Sequence, residues 1–189
     1  MEKKQISAKP FMYPMPTMLI GANISGKPNF MTIAFCQMLC SSPPIFGLAS
    51  MKTHYTNIGI KKNRTFSINI PSKEMVKATD YCGLVSGHKV DKSKVFNIFY
   101  GNLGTAPMIQ ECPINMECKL VQILEFGNNE IFIGEIVGSY AEERYLTDGL
   151  PDIKKISPII FSMDASYWKV GGFLGKAYSV GKGFEPDKQ

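Results

Sequence analysis

The segment that decides the fold runs from residue 29 to residue 58 and has three parts. It reads Asn29-Phe30-Met31-Thr32-Ile33-Ala34-Phe35, then Pro43-Pro44-Ile45-Phe46-Gly47-Leu48-Ala49-Ser50, and finally Thr53-His54-Tyr55-Thr56-Asn57-Ile58. The first two parts are apolar and predict β-strands, whereas the third is a polar cluster that predicts the start of a helix. An apolar wall beside a helix start, whose N–H groups attract anions, is suited to an aromatic ligand that carries a phosphate group.

Composition indicates one intracellular domain spanning residues 1–189. A chain of 189 residues with 44% hydrophobic content can build a single core. No apolar stretch approaches the roughly 20 residues that cross a bilayer, and residues 1–6 lack the apolar centre of a secretion signal. The five cysteines are an odd number without a C-x-x-C pair, which favours a reducing compartment. We therefore expect a cytoplasmic protein with no membrane partner.

The charge pattern argues against a nucleic-acid partner. The formal net charge of +5 comes from 21 basic and 16 acidic residues that are spread along the chain. The two arginines, Arg64 and Arg144, are far apart in the sequence, whereas a nucleic-acid surface needs basic residues on one face with stacking aromatics nearby. A mildly basic balance suits anionic small molecules instead.

Periodicity predicts a mainly β domain with short helices, of the α+β class. Strands are predicted over residues 17–23, 31–38, 44–50, 65–70, 159–161 and 166–170, and helices over residues 55–63 and 73–85. Residues 115–126 and 130–140 flank Gly127-Asn128-Asn129 and predict a β-hairpin. Five glycines after residue 170 predict an irregular, extended C-terminal segment over residues 171–189. Many short strands with few helices predict a closed or nearly closed barrel.

Three motifs allow a ligand without requiring one. The polar residues of the 50–57 cluster could hold a phosphate at a helix start, although an ordinary helix cap is a simpler interpretation. The 29–35 segment could line a flat ring with Asn29, Thr32 and the backbone at Ala34, or it could be a plain core strand. The loop from Cys82 to Lys92 could approach a ligand through its glycines, or it could be a helix end followed by a charged loop.

The order of the motifs resembles the flavin reductase-like, FMN-binding split-barrel family, in particular its flavoredoxin branch. The resemblance covers nearly the whole chain and implies a Greek-key split β-barrel, a bound FMN and a homodimer whose interface borders the flavin. The motifs that carry it are Pro14-x-Pro16, Asn29-x-Met31-Thr32, Pro43-Pro44, Thr53-x-x-Thr56-Asn57-Ile58, Phe66-Ser67-Ile68-Asn69, Cys82-Gly83 with Ser86-Gly87, Asp91-Lys92, Ala106-Pro107, Glu117-Cys118, residues 131–137, Tyr167 with Gly171, and residues 178–182.

The resemblance also implies which residues bind FMN. Five line the flavin ring, three border its edge, four lie on the phosphate side, and four come from the later loop. In that order they are Asn29, Met31, Thr32, Ala34 and Phe35; Ser50, Met51 and Lys52; Thr53, His54, Tyr55 and Thr56; and Cys82, Ser86, Gly87 and Lys92.

As a function, the resemblance implies an FMN-dependent oxidoreductase in which the flavin supplies the redox chemistry, so no catalytic side chain is assigned. Lys52 and Lys92 are expected to stabilise the reduced flavin. NAD(P)H is expected as a transient co-substrate of a flavin or ferric-type reductase, stacking directly on the flavin because the chain lacks a G-x-G-x-x-G fingerprint. The alternative is an electron carrier that is reduced by a partner protein.

Other chemistries have little support in the sequence. Zinc and iron–sulfur sites usually use two similar pairs of closely spaced cysteines. The pairs in this chain have different and wider spacings, namely Cys36 with Cys40 and Cys112 with Cys118, so no metal is expected. The chain has two histidines and no G-x-S-x-G motif, which argues against a serine hydrolase.

Overall fold

The computed structural model describes residues 1–185, and the fold is mainly β with short helices, as predicted. The helices are α1 (Thr56–Asn63), α2 (Val76–Leu84) and α3 (Ile153–Ile156), with 3₁₀ turns at Lys73–Met75 and Glu143–Tyr145. The strands are β1 (Met15–Pro16), β2 (Met18–Ile24), β3 (Lys27–Ile33), β4 (Cys36–Ser41), β5 (Pro44–Met51), β6 (Thr65–Ile70), β7 (Ile98–Phe99), β8 (Met108–Ile109), β9 (Ile114–Phe126), β10 (Asn129–Ala141), β11 (Leu146–Thr147), β12 (Leu150–Pro151), β13 (Ile159–Ser162) and β14 (Ser166–Lys169).

Seven strands form one antiparallel sheet in the order β3-β2-β6-β9-β10-β5-β4. The sheet curves around its main core cluster, since Met31 and Ile33 of β3 pack in the same cluster as Phe46 and Leu48 of β5. It does not close into a full barrel, because β3 and β4 remain its two end strands within residues 1–185. The result is a split barrel, with a seam between β3 and β4.

Two features of the β9–β10 hairpin accommodate the curvature. The register shifts between Ile133 and Gly134 and again between Ile136 and Gly138, and such irregularities bend a strand. Gly134 is required for packing, because a Cβ atom there would lie 2.5 Å from the ring of Phe66, which is fully buried. The predicted hairpin is thus confirmed, and its bends allow the sheet to wrap around the core.

Strands β2 and β3 are buried on both faces. A second cluster on their outer face contains Leu19 and Phe30, and Phe96 packs edge-on against Phe30 with ring centroids 5.7 Å apart. Cys82 of α2 belongs to the same cluster, so this helix covers β3 from outside. Burial on both faces explains why β2 begins with the apolar run Met18-Leu19-Ile20-Gly21-Ala22 and does not alternate.

One predicted strand is divided in the structure. The 31–38 segment belongs to two strands, because β3 ends at Ile33 and β4 begins at Cys36. Ala34 and Phe35 form the connection, where the Cys36 N–H donates to the Ala34 carbonyl oxygen at 3.0 Å. The apolar run Ile33-Ala34-Phe35-Cys36 crosses this bend without a turn residue, and for that reason the sequence pattern missed it.

The C-terminal part contains neither helix nor strand from residue 170 to residue 185. The remainder of the predicted C-terminal segment, residues 186–189, lies outside the described residues. No helix within residues 1–185 has both the length and the apolar character needed to traverse a lipid bilayer. The five cysteines are all free thiols.

The fold predicts a sharp contrast between two glycines. A Cβ atom at Gly21 in β2 would lie 2.5 Å from the Pro107 carbonyl oxygen and 2.7 Å from the ring of Phe30, whereas Gly104 is surrounded by open space. We expect Gly21→Ala to lower the free energy of unfolding by about 1–3 kcal/mol through overpacking, and Gly104→Ala to change it by less than about 0.5 kcal/mol. Urea denaturation measures both, and equal midpoints for the two variants would contradict the packing described here.

Candidate functional site

Three adjoining cavities form a groove between the sheet and the ends of α1 and α2. The central cavity, of about 230 Å³, lies between an apolar cavity of about 420 Å³ and a basic cavity of about 300 Å³. The central and apolar cavities share one set of wall residues, and the central and basic cavities share another, so one elongated ligand can pass through all three. These two sets are Thr32, His54, Gly83 and Leu84, and Asn29, Tyr55, Gly87 and Lys92.

The start of α1 offers free hydrogen-bond donors to the central cavity. Tyr55 precedes the helix without a side-chain cap, and within residues 1–185 the N–H groups of Tyr55 and Thr56 have no hydrogen-bond acceptor. Both residues line the central cavity together with Thr53. N–H groups at a helix start carry partial positive charge and bind anions.

Asn29 connects the sheet to this helix start. Its side-chain amide donates a hydrogen bond of 2.7 Å to the Thr56 hydroxyl, and both side chains are buried. Gly87 packs closely against the same place, because a Cβ atom there would collide with the Asn29 amide and the Tyr55 ring. The absence of a side chain at Gly87 therefore lets the loop that follows α2 close this end of the groove.

Lys92 places a buried positive charge in the groove. The residue is 3% exposed, and its Nζ donates to the carbonyl oxygens of Phe30 at 2.9 Å and Cys82 at 2.8 Å. No carboxylate pairs with it in the part of the chain that the structure describes. Burial lowers the pKa of the Lys92 ammonium. Because an ammonium has three donors and a buried charge without a counterion is costly, this arrangement calls for an anionic ligand.

Cys82 contributes a buried thiol to the wall of the central cavity. The residue is 1% exposed, and burial raises its pKa to about 11 while Lys92 partly opposes the shift. A thiol in that state is almost entirely protonated near neutral pH, and a thiolate is needed for nucleophilic reaction. Cys82 thus acts as a packing residue of the groove.

The apolar cavity is covered by a second, three-stranded sheet of order β1-β13-β14. Phe161 and Tyr167 of this sheet contact each other edge-on at 5.9 Å, and both line the cavity. The Tyr167 hydroxyl donates to Asp80 of α2 at 3.0 Å, and burial, followed by Asp80, raises the Tyr167 pKa to about 12. The Tyr167–Asp80 hydrogen bond holds the aromatic cover against α2.

An unpaired hydroxyl is buried in the wall of the apolar cavity. Thr17 is 2% exposed and lines this cavity, and its Oγ1 has no hydrogen-bond partner within residues 1–185. A buried hydroxyl without a partner costs free energy. The oxygen atom is itself buried, so a ligand would reach it only if the cavity wall shifted.

The groove brings together all the predicted site residues except two. Ser50 lies behind the wall and is 1% exposed, with its hydroxyl 2.9 Å from His54 Nδ1. The Lys52 side chain lies outside the three cavities and forms an exposed ion pair with Glu125. The predicted residues that line the cavities are Asn29, Met31, Thr32, Ala34, Phe35, Met51, Thr53, His54, Tyr55, Thr56, Cys82, Ser86, Gly87 and Lys92.

Sequence reasoning missed several wall residues. Asp80 and Leu84 lie in the predicted helix over residues 73–85 without a predicted site role, although their place on either side of Cys82-Gly83 indicates that the end of α2 faces the groove. The sequence around Thr17 and Phe161 contains no motif that indicates a site. These residues line the cavity because β1 pairs with β13, with Met15 opposite Phe161. Tyr167 belongs to a recognised motif but had no assigned contact.

A split barrel whose groove combines an apolar cavity with anion-binding donors suits the class of protein that binds an aromatic ligand with a phosphate group. The chain belongs to the family described as flavin reductase like domain, whose sequence model matches residues 11–154. The family predicted from the order of the motifs is therefore confirmed.

Within this family the chain is similar to flavoredoxins. It is 51% identical to flavoredoxin from Methanosarcina acetivorans, with a TM-score of 0.94 over 96% of this chain and 98% of that chain. It is 38% identical to flavoredoxin of Desulfovibrio vulgaris (Miyazaki F), with a TM-score of 0.89 over 96% of this chain and 100% of that chain. An uncharacterized protein of Archaeoglobus fulgidus is 31% identical over 171 residues, which are 89% of this chain and 93% of that protein.

Proposed function

We propose that this protein binds FMN along the groove and transfers electrons through it. The observation that carries the proposal is the buried Lys92 ammonium, which has no carboxylate partner among the described residues and lies beside the uncapped start of α1. A phosphate group would satisfy both features. The similarity to two flavoredoxins supports FMN as the ligand that carries this phosphate.

The residues fit the two ends of FMN. At the phosphate end, the N–H groups of Tyr55 and Thr56 and the Lys92 ammonium can each donate a hydrogen bond. At the ring end, the apolar cavity offers aromatic contacts from Phe35, Phe161 and Tyr167. When bound, FMN supplies the acceptance and release of electrons, and the protein binds and orients it.

This arrangement assigns the two lysines different roles. Lys92 lines the central and basic cavities and does not line the apolar one, so it belongs to the phosphate end. Lys52 pairs with Glu125 at the surface. Neither position supports the sequence-based expectation that these two lysines stabilise the reduced ring, and we propose that Lys92 binds phosphate instead.

NAD(P)H is the proposed electron donor, acting as a transient co-substrate of a flavin or ferric-type reductase. Five free cysteines suit a reducing compartment, the cytoplasm, where NAD(P)H is available. The second candidate is an electron carrier that is reduced by a partner protein, and the similarity to flavoredoxins favours it. Both candidates use the same groove and differ only in what reaches the flavin.

A second copy of this chain is the proposed structural partner. Phe35, Met38 and Leu39 are about half exposed at the end strand β4, and such an apolar patch beside a strand edge favours association. Ala34 and Phe35 line both the apolar cavity and a neighbouring cavity of about 330 Å³ on this surface. Assembly at this surface would place the interface beside the flavin.

The phosphate assignment predicts different effects for the two lysines. Lys92→Met should weaken FMN binding at least about tenfold more than it weakens riboflavin binding, because a charge-assisted hydrogen bond contributes roughly 1.5–3 kcal/mol and riboflavin has no phosphate. Loss of the contacts to Phe30 and Cys82 would lower both affinities alike. Lys52→Met is the matched control and should not alter either affinity. Titration followed by flavin fluorescence measures the six affinities, for FMN and riboflavin with the wild type and with each variant. If wild-type protein binds neither FMN nor riboflavin, the proposed function is wrong.

The choice of donor predicts a simple optical result. Anaerobic mixing of the FMN-loaded protein with NADH or NADPH should bleach the flavin absorbance near about 450 nm within seconds if NAD(P)H is the donor. Free FMN at the same concentration is the control. Protein that stays yellow with both nucleotides, yet is bleached by dithionite, would reject the reductase and support the carrier.

The proposed assembly predicts a dimer whose formation depends on β4. Sedimentation velocity should give the mass of two chains for the wild type and of one chain for Met38→Asp, because a carboxylate at an apolar interface is costly. Val121→Asp is the control, since Val121 is equally exposed but lies on β9. A wild type that sediments as a single chain at micromolar concentration rules out the homodimer.

A further inference from the structure

A chain of buried hydrogen bonds, which we call the Ser50 relay, lies behind His54. It runs from the His54 ring through Ser50 and Asn57 to Glu130, which pairs at its far end with Lys61. Ser50, Asn57 and Glu130 are each 4% exposed or less. His54 is half-buried and lines both the central and the apolar cavity, so the relay ends at the junction of the two.

The orientation of the Asn57 amide is fixed by its partners. Its Nδ2 lies 2.9 Å from the Met51 carbonyl oxygen and 3.1 Å from Glu130 Oε2. A carbonyl oxygen and a carboxylate paired with a lysine can only accept hydrogen bonds, so the NH₂ group must point toward them. The amide oxygen of Asn57 therefore faces Ser50, at 2.8 Å.

This orientation determines where the hydrogen of the Ser50 hydroxyl lies. An amide oxygen cannot donate, so Ser50 uses its only hydrogen toward Asn57. The contact of Ser50 with the Met31 sulfur is longer, at 3.6 Å, and sulfur is a weak acceptor. Toward His54 the Ser50 oxygen can then only accept, and Nδ1 of His54 must carry a hydrogen.

His54 is uncharged in this environment. Burial lowers its pKa below the usual value of 6.5, and the positive charge of Lys92 lowers it further. At neutral pH the ring therefore carries one hydrogen, which the Ser50 relay holds on Nδ1. Nε2 is left with a lone pair and can accept a hydrogen bond from a ligand.

We propose that Ser50 is a positioning residue that holds His54 as the Nδ1–H tautomer, so that Nε2 accepts a hydrogen bond from a ribityl hydroxyl of the bound flavin. The assignment of the ligand rests on the proposed function, whereas the tautomer does not. A phosphate dianion has no hydrogen to donate, so an accepting Nε2 does not suit it. The ribityl chain joins phosphate to ring and carries hydroxyl groups, and His54 lies between the cavities proposed for those two ends. This differs from the sequence-based expectation that His54 reaches the phosphate.

The tautomer can be observed directly, because the chain has only two histidines. Long-range ¹H–¹⁵N correlation spectra of labelled, flavin-free protein at pH 7.5 should show His54 with a protonated Nδ1 and an unprotonated Nε2, which is the minor tautomer of free histidine. His88→Gln assigns the signals. Ser50→Ala should release this preference and populate the Nε2–H form, whereas Ser67→Ala, which removes a buried serine outside the groove, should not. A wild-type protein with the Nε2–H tautomer overturns the relay.

Addition of FMN tests the second part of the proposal. On saturation, the Nε2 resonance should shift in the direction of an accepted hydrogen bond, with Nδ1 unchanged. Protonation of both nitrogens on binding would show an imidazolium–phosphate contact, and an unmoved Nε2 would show no contact; either result overturns the ribityl assignment. If FMN does not bind at all, the proposed function and the ribityl assignment fail together, while the spectra of the flavin-free protein still decide the tautomer.

Discussion

The groove depends on one buried ammonium. Lys92 comes from the loop after α2, yet its Nζ is held by a carbonyl oxygen of β3 and another at the end of α2, at Phe30 and Cys82. These two contacts tie the loop to the sheet and to the helix, and Lys92 lines the central cavity. Two neutral carbonyl oxygens only partly stabilise the charge, which leaves the groove prepared for an anion. Structural cohesion and ligand preference thus come from the same side chain.

Much of the fold could be predicted from the sequence, because most of it is local. The β9–β10 hairpin follows from two alternating segments around Gly127, and α1 follows from the polar cluster before Ile58. The bend at Ala34 and Phe35 could not be predicted, because it results from how β3 and β4 meet neighbours that are distant in the sequence. The seam of the barrel follows from that bend.

The candidate site likewise has a part that the sequence could predict and a part that it could not. The residues that line the central cavity cluster in three short segments, and the order of these segments led to the family. Thr17 and Phe161 reach the apolar cavity only through pairing of β1 with β13, far apart in the sequence. The Ser50 relay was equally hidden, because Glu130 meets Asn57 only after β5 pairs with β10. Nothing in the local pattern around residue 130 indicates such a partner.

The bend at Ala34 and Phe35 has a consequence for how the molecule responds to its surroundings. The same two residues form part of the wall of the apolar cavity and part of the wall of the neighbouring surface cavity. If binding at one cavity alters this shared wall, the two binding events are linked, and the coupling free energy is equal in both directions. If a second chain packs on this surface, flavin affinity depends on protein concentration, and flavin in turn shifts the monomer–dimer equilibrium. Dilution would then act as an effector of the cofactor site.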